Sequence, residues 1–185
     1  MMCAAEAPES LQNVIYTVDA DDRITWVNDA WDHMARAGDA PEILSGTVVG
    51  TELWAHISDP TLRHLLRRIF AKVRASRRPL ELCCRCDAPE VRRGVEVRLE
   101  SADGAEVRVT NRTISQDPRA LTLSGARSDT LLKACGWCNA ILVDGEWVEI
   151  EVAIERLRLL NGPHYPSITH GLCLSCADTL RTAGD

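Results

Sequence analysis

The sequence lacks long apolar runs and an excess of positive charge, and each absence excludes a class of protein. No stretch approaches the roughly 20 apolar residues that a membrane-spanning helix needs, and residues 1–6 show neither the basic start nor the apolar stretch of a signal peptide. The 185 residues include 27 acidic and 21 basic side chains, a formal net charge of -6, which argues against nucleic acid as the main partner. We therefore expect a cytoplasmic protein that is not bound to a membrane.

Recognisable catalytic motifs are also missing. We find no phosphate-binding loop, no phosphate-accepting histidine helix and no Ser/His/Asp arrangement. The composition, 45% hydrophobic and 26% charged, is that of a globular protein that can bury a core. These features favour a protein that is not an enzyme and acts by binding, passing its output to another protein.

Cysteine, in contrast, is abundant, and four of the eight cysteines form two Cys-x-x-Cys pairs. Cys135 and Cys138 are the first pair, and Cys173 and Cys176 are the second. Two intervening residues let both thiolates of a pair converge on one ion, and two pairs complete the tetrahedron that Zn²⁺ prefers. A reducing cytoplasm disfavours disulfides. The spacing therefore predicts a structural zinc ion with a closed coordination shell.

His170 leaves the ligand set open, because it lies three residues before Cys173. It can replace one cysteine as a ligand, or it can donate a hydrogen bond to a thiolate from outside the shell. We rank a site of four cysteines ahead of one with three cysteines and the histidine.

Residues 11–115 have the pattern of a mixed sheet-and-helix domain. β-Branched and aromatic runs predict strands, Asn28 can cap the first helix, and Asp59 followed by Pro60 begins the second. The predicted elements are strands at 14–18 and 24–27, helices at 29–37 and 60–76, and strands at 80–86, 94–101 and 106–115.

The remaining sequence predicts a linker and a small module. Residues 116–130 contain Pro118 and Gly125 without a sustained period, and they are expected to form the linker. Within residues 131–180, Asp144-Gly145 predicts a hairpin. Helices are expected over residues 151–160 and from about residue 175. This module has few apolar residues for its size, so a metal ion is a plausible source of its stability.

Three motifs carry a resemblance to a known family. The segment Ile15-Tyr16-Thr17-Val18-Asp19 through Asn28-Asp29-Ala30 resembles the opening of a PAS domain, and Val49-Gly50-Thr51-Glu52-Leu53, the long helix and the closing strands continue that pattern. The tail, with Cys135-Gly136-Trp137-Cys138, Trp147 and His170-Gly171-Leu172-Cys173-Leu174-Ser175-Cys176, resembles a cysteine-rich module appended to some bacterial sensory proteins. Arg85-Cys86-Asp87-Ala88-Pro89, followed by Arg92-Arg93, is similar to a feature of small PAS proteins of the same kind.

The resemblance implies an α+β fold, a PAS-like five-stranded antiparallel sheet with flanking helices, plus a small zinc-stapled C-terminal module. It implies a bacterial signalling protein, a sensor or an adaptor, with a protein partner and the capacity to form a homodimer. PAS domains can also bind haem, flavin or small organic ligands. Trp26, Trp31 and Trp54 can line such a cavity with Asn28, although aromatic residues at such positions are more often ordinary core.

Haem is an alternative cofactor beside Zn²⁺. Haem sensors of the family commonly use a histidine on the long helix, and His64 lies on the matching helix here. At about 100° per residue, His64 falls opposite the apolar stripe and points to solvent. His33 and His56 are the other candidate ligands. The stripe consists of Leu62, Leu65, Leu66, Ile69, Phe70 and Val73.

Three further cysteines offer an alternative function, a thiol-based redox switch. On a strand, Cys84 and Cys86 share the face of Leu80 and Leu82, so we expect both in the core and Cys83 on the polar face. Nearby arginines can favour a thiolate at Cys83. A zinc-dependent nucleic-acid regulator is a third alternative. Basic residues of the long helix, such as Arg67 and Arg74, can instead dock an acidic partner.

Overall fold

Two β-sheets, each with its own helices, make up the fold. The computed structural model describes residues 13–87, 91–103, 105–118, 126–159 and 164–185. The first unit contains β1 (Val14–Val18), β2 (Ile24–Val27), α1 (Asp29–Ala37), a 3-10 turn (Pro41–Ile43), α2 (Ser45–Val48), a 3-10 turn (Leu53–His56), α3 (Pro60–Ser76), β3 (Leu80–Arg85), β4 (Val91–Ser101) and β5 (Val107–Pro118). The second unit contains β6 (Ala126–Cys135), β7 (Ile141–Val143), β8 (Glu146–Val148), α4 (Ile150–Leu157), β9 (His164–Gly171) and α5 (Leu174–Gly184).

The first sheet is antiparallel, with strand order β2-β1-β5-β4-β3. This confirms the predicted α+β fold, a five-stranded antiparallel sheet with flanking helices. Capping residues fix where the helices begin. The Asn28 side chain accepts a hydrogen bond from the Trp31 N–H before α1, and Asp59 accepts one from the Leu62 N–H before α3.

The core of the first unit lies between α3 and the sheet. The predicted stripe of α3 is buried, with Ile69 and Val73 exposed by no more than 1%. It packs with sheet residues such as Val18, Leu99 and Val109 into one apolar cluster. Burial of such side chains contributes roughly 1.5–3 kcal/mol each relative to exposure.

The second sheet has strand order β8-β7-β6-β9 and is mixed, because β6 and β9 are parallel. The predicted hairpin is confirmed, with Asp144 and Gly145 both at positive φ between β7 and β8. The parallel pair was not predicted. Part of the predicted linker, residues 116–130, is instead strand. Strand β5 extends to Pro118 and β6 begins at Ala126. The rest of that range, residues 119–125, lies outside the described residues.

The two units share one core. The apolar cluster that contains Ile69 and Val109 continues into Cys135, Trp137 and Leu180 of the second unit. Helix α5 packs along α3. Across the parts of the chain that the structure describes, no helix is long and apolar enough to cross a membrane.

Candidate metal centre

Four cysteines converge where the two strands of the parallel pair end. Cys135 is the last residue of β6, and Cys138 follows in a turn that is closed by a 2.9 Å hydrogen bond from the Asn139 N–H to the Cys135 carbonyl. Cys173 is the N-cap of α5, and Cys176 lies in its first turn. Because β6 and β9 are parallel and Cys135 is paired with Gly171, both Cys-x-x-Cys turns emerge at the same edge.

The geometry of the four thiols fits a tetrahedral metal site. All four Sγ atoms lie within 4.8 Å of one another, and the Sγ atoms of Cys138 and Cys173 are 3.9 Å apart. With Zn–S bonds of about 2.3 Å, a tetrahedron has S–S edges of about 3.8 Å. The predicted set of Cys135, Cys138, Cys173 and Cys176 is therefore assembled as one cluster.

The cluster is buried and its thiols interact strongly. Cys135 is fully buried, Cys173 and Cys176 are nearly so, and Cys138 is half-buried. Hydrogen bonds from the Cys138 and Cys176 thiols lower the pKa of Cys135, and the hydrogen bond with Cys135 raises the pKa of Cys138 to about 11. One thiolate is thus stabilised by protons that its neighbours retain. A metal ion would take the place of those protons and hold four thiolates.

Backbone amides also point to the sulfur atoms. The Cys173 N–H donates to the Cys135 Sγ, and the Cys176 N–H donates to the Cys173 Sγ, both at 3.5 Å. Such N–H···S contacts offset part of the negative charge that four thiolates bring to a divalent ion. Thiolate ligands in a tetrahedral arrangement suit Zn²⁺, and four protein ligands leave no position open for water or substrate.

His170 does not join the cluster. It lies on β9 opposite Ala134, and its side chain is exposed. Within the described part of the chain, the group that could hold a metal consists of the four cysteines without the histidine. The structure therefore does not assemble the alternative ligand set with His170, and the buried position opposite Cys135 at the end of β9 belongs to Gly171. A Cβ atom on Gly171 would lie 2.1 Å from the Cε atom of Lys133, so a larger residue there would require the flexible Lys133 side chain to move.

Two contacts at the site were not predicted from the sequence. Trp137, between the first two cysteines, is buried and donates its indole N–H to the Cys83 carbonyl at 2.8 Å. Arg85 is the second, with a side chain only 8% exposed that ion-pairs with Asp87 and Glu149. Burial lowers the pKa of Arg85, but its bonds to the two carboxylates outweigh that effect and the pKa is raised. Both residues lie in motifs that carried the resemblance, Cys135-Gly136-Trp137-Cys138 and Arg85-Cys86-Asp87-Ala88-Pro89, but neither motif indicates the partner of the contact.

The candidate ligand-pocket residues are spread over the first unit. Trp26 is 47% exposed, since the register of β2 shifts opposite Thr17 and Val18 and leaves both Thr25 and Trp26 exposed, and its place in a ligand pocket stays a prediction. Asn28 is occupied by capping α1 and by hydrogen bonds with the backbone of Ile15 and Asn13.

The other two pocket candidates belong to packed structure. Trp31 contacts Tyr16 edge to face and donates its indole N–H to the Ile43 carbonyl. Trp54 is buried, contacts Phe70 edge to face and donates to the Asp22 carboxylate at 2.5 Å. Both indoles are thus satisfied by the protein itself.

The histidines considered for haem are all exposed. His64 lies on the solvent face of α3, as the helical pattern predicted, and His33 and His56 are exposed as well. The His56 Nε2 atom is 2.8 Å from the Thr51 hydroxyl. None of the three points into the core of the first unit.

The three cysteines near β3 differ from one another. Cys84 packs against the core as expected, and burial, with a contribution from Cys86, raises its pKa to about 12. Cys86 is exposed, which contradicts its predicted core position, because β3 ends at Arg85. Cys83 is disulfide-bonded, contrary to the expectation that a reducing compartment disfavours disulfides.

The basic residues of α3 are largely engaged within the chain. Arg67 pairs with Glu52 at 3.0 Å, and Arg74 pairs with Asp22 at 2.8 Å. Others contact the C-terminal end of α5. Docking of an acidic partner on this face stays a prediction, and these internal contacts would compete with it. The remaining internal contacts are Arg63 with the Ile57 carbonyl, Arg68 with Asp185, and Lys72 with the Ala183 carbonyl.

Comparison with known proteins finds only distant structural likeness. No family model matches the chain, and no curated protein matches it. Among solved structures, a domain of an HTR-like protein from Haloarcula marismortui is 16% identical, with a TM-score of 0.41, covering 56% of this chain and 98% of that one. The PAS domain of BvgS from Bordetella pertussis is 19% identical, with a TM-score of 0.36, covering 55% of this chain and 72% of that one. Likeness of this size carries no argument about function, which rests on the residues of the chain itself.

Proposed function

We propose that this chain is a cytoplasmic signal-sensing or adaptor protein that acts by binding, with a structural zinc ion and no catalytic step of its own. The observation that carries the proposal is the closed cluster of Cys135, Cys138, Cys173 and Cys176 within the shared core. A catalytic zinc ion needs an open position. Four cysteine thiolates would fill the shell, so the ion would hold the second unit together.

The first unit supplies the binding part of the proposal. Its antiparallel sheet is covered on one face by helices, and Tyr16, Trp31 and Cys84 lie partly buried in the layer between. Burial raises the pKa of Tyr16 above its ordinary value, so its hydroxyl remains a hydrogen-bond donor in this layer. A small organic ligand or a protein contact that alters this layer is the proposed signal, and another protein is the proposed recipient.

Metal analysis of the purified full-length chain tests the proposal. We expect one zinc ion per chain, and no absorption band of haem or flavin. Replacement of zinc by cobalt should give the visible bands of a tetrahedral thiolate site. A folded wild-type protein without metal would overturn the zinc centre, and a Soret band would favour the haem sensor instead.

A matched pair of variants assigns the ligands. Cys173→Ser should lose the metal, because serine offers no thiolate. Cys86→Ser should keep one zinc ion per chain, since Cys86 is exposed and lies outside the cluster. Equal zinc content in the two variants would show that the four cysteines do not hold the ion.

A further inference from the structure

Each cysteine pair of the metal centre leads directly into a contact with the first unit. Between Cys135 and Cys138, Trp137 donates its indole N–H to the Cys83 carbonyl at 2.8 Å, and its own carbonyl accepts from the Arg85 N–H at 2.9 Å. Strand β3 is at the edge of the described sheet. Trp137 therefore forms hydrogen bonds with two backbone groups of that edge, the Cys83 carbonyl and the Arg85 N–H.

The second cysteine pair begins α5, which lies along α3. Leu180 is fully buried and belongs to the same apolar cluster as Ile69. At the C-terminal end of α5, the Lys72 ammonium donates to the Ala183 carbonyl at 2.9 Å. A Cβ atom on Gly184 would lie 3.3 Å from the Cβ atom of Arg68, so the two helices approach closely.

A third contact lies in the same region between the two units, which we call the joint. Glu149, which precedes α4, ion-pairs with the buried Arg85 guanidinium at the end of β3. Gly136, beside Trp137, lies against α3, since a Cβ atom there would be 3.3 Å from the Leu62 Cδ2 atom. The joint thus involves the edge of β3 and one side of α3, and the contacts of Trp137, Gly136 and α5 start at metal-ligand turns.

We propose that the metal ion is the clamp that holds the second unit against the first, so that metal occupancy decides whether α3 and the edge of β3 are covered. The inference rests on the proposed four-cysteine centre and adds a coupling to it. Without the ion, Trp137 and the start of α5 lose their common anchor, and the apolar side of α3 that contacts α5 becomes exposed. The coupling is reciprocal. The factor by which bound metal favours the contacts across the joint is also the factor by which those contacts raise the affinity of the centre for metal.

Hydrogen–deuterium exchange of the full-length chain tests the clamp. Exchange is measured with bound zinc and after removal of zinc by a chelator, with the metal content determined on the same samples. We expect removal of zinc to increase exchange in peptides from residues 131–185 and also from α3 and β3. Peptides from β1 and β2, at the far side of the first sheet, should change little.

The other outcomes separate the clamp from the metal centre. Faster exchange in residues 131–185 alone would overturn the clamp and leave the centre standing. Equal increases in β1 and β2 would indicate unfolding of the whole chain and would also overturn it. Wild-type protein without zinc, and without a response to the chelator, would overturn both proposals.

A tryptophan pair gives a second test that does not depend on unfolding. Trp137→Phe keeps an aromatic ring and all four cysteines but removes the hydrogen bond to Cys83, so zinc affinity should fall about fivefold, the equivalent of one hydrogen bond. Trp147→Phe is the control, because Trp147 is half-buried against the same core but lies on β8. Competition with a chromophoric chelator measures both affinities. An unchanged affinity in Trp137→Phe, or an equal loss in both variants, would overturn the clamp.

Discussion

At the scale of single residues, the thiols of Cys84 and Cys86 differ because the strand ends between them. Cys84 is on β3 and packs into the core, whereas β3 ends at Arg85. The Asp87 carboxylate accepts the Arg93 N–H at 2.9 Å, which links the residues after β3 to β4. A simple alternation extended by one residue therefore placed Cys86 on the wrong side.

Alkylation should distinguish these two thiols. At pH 8 we expect iodoacetamide to modify Cys86 in the native protein and to leave Cys84 unmodified, because burial raises the pKa of Cys84 to about 12 and only the thiolate reacts. Peptide mass mapping of wild type and Cys86→Ser checks this. Modification of Cys84 in native protein at pH 8 would contradict it.

The raised pKa of Cys84 also predicts a dependence of stability on pH. The folded-state pKa of about 12 lies above the usual value of 9.0 for the unfolded chain. Its contribution to the free energy of unfolding is therefore complete below pH 9 and is lost as the pH rises toward 12. Urea unfolding between pH 8 and about pH 11 should show a shallower decline in Cys84→Ala than in wild type. Equal slopes would show that Cys84 ionises normally in the folded protein.

At the scale of secondary-structure elements, local signals were predictable and long-range pairing was not. Helices α1 and α3 begin where Asn28 and Asp59 cap them, so their bounds follow from sequence. The parallel pairing of β6 with β9 joins two segments about 30 residues apart. The hydrophobic period within each segment does not indicate which strand it pairs with. For the same reason the four cysteines could be predicted from spacing, but the contact of Trp137 with β3 could not.

Two arginines of α3 should contribute differently to stability. Arg74 is mostly buried, ion-pairs with Asp22 and donates to the carbonyls of Ala105 and Asp19. Arg67 makes an ion pair with Glu52 in which both side chains are about half exposed. We expect Arg74→Gln to lower the free energy of unfolding by about 1–3 kcal/mol.

Arg67→Gln is the matched control for that change. An exposed ion pair contributes roughly 0–1 kcal/mol, so this variant should stay close to wild type. Urea unfolding followed by circular dichroism compares the two. A larger loss in Arg67→Gln than in Arg74→Gln would contradict the assignment of Arg74 as the internal residue.

At the scale of the whole molecule, the two units share one apolar cluster, and we expect zinc-bound protein to unfold as one structure. The apolar cluster runs from Val18 of β1 to Leu180 of α5. The buried Arg85 guanidinium joins the end of β3 to Glu149 of the second unit. A small metal module on a separate linker would have its own unfolding transition, whereas a shared core predicts a single one.

Thermal unfolding at buffered zinc concentrations tests this view. A ligand that binds only the folded state stabilises it by RT ln(1 + [L]/Kd), about 4 kcal/mol at a thousand times the Kd. Because Cys135 and Cys173 lie in the shared core, we expect the Tm of the single transition, observed by circular dichroism and calorimetry, to rise with free zinc. Cys86→Ser should show the same dependence as wild type, since its thiol is exposed. Cys173→Ser should show none. A zinc-dependent transition confined to residues 131–185, with a second transition that zinc leaves unchanged, would mean that the two units unfold independently.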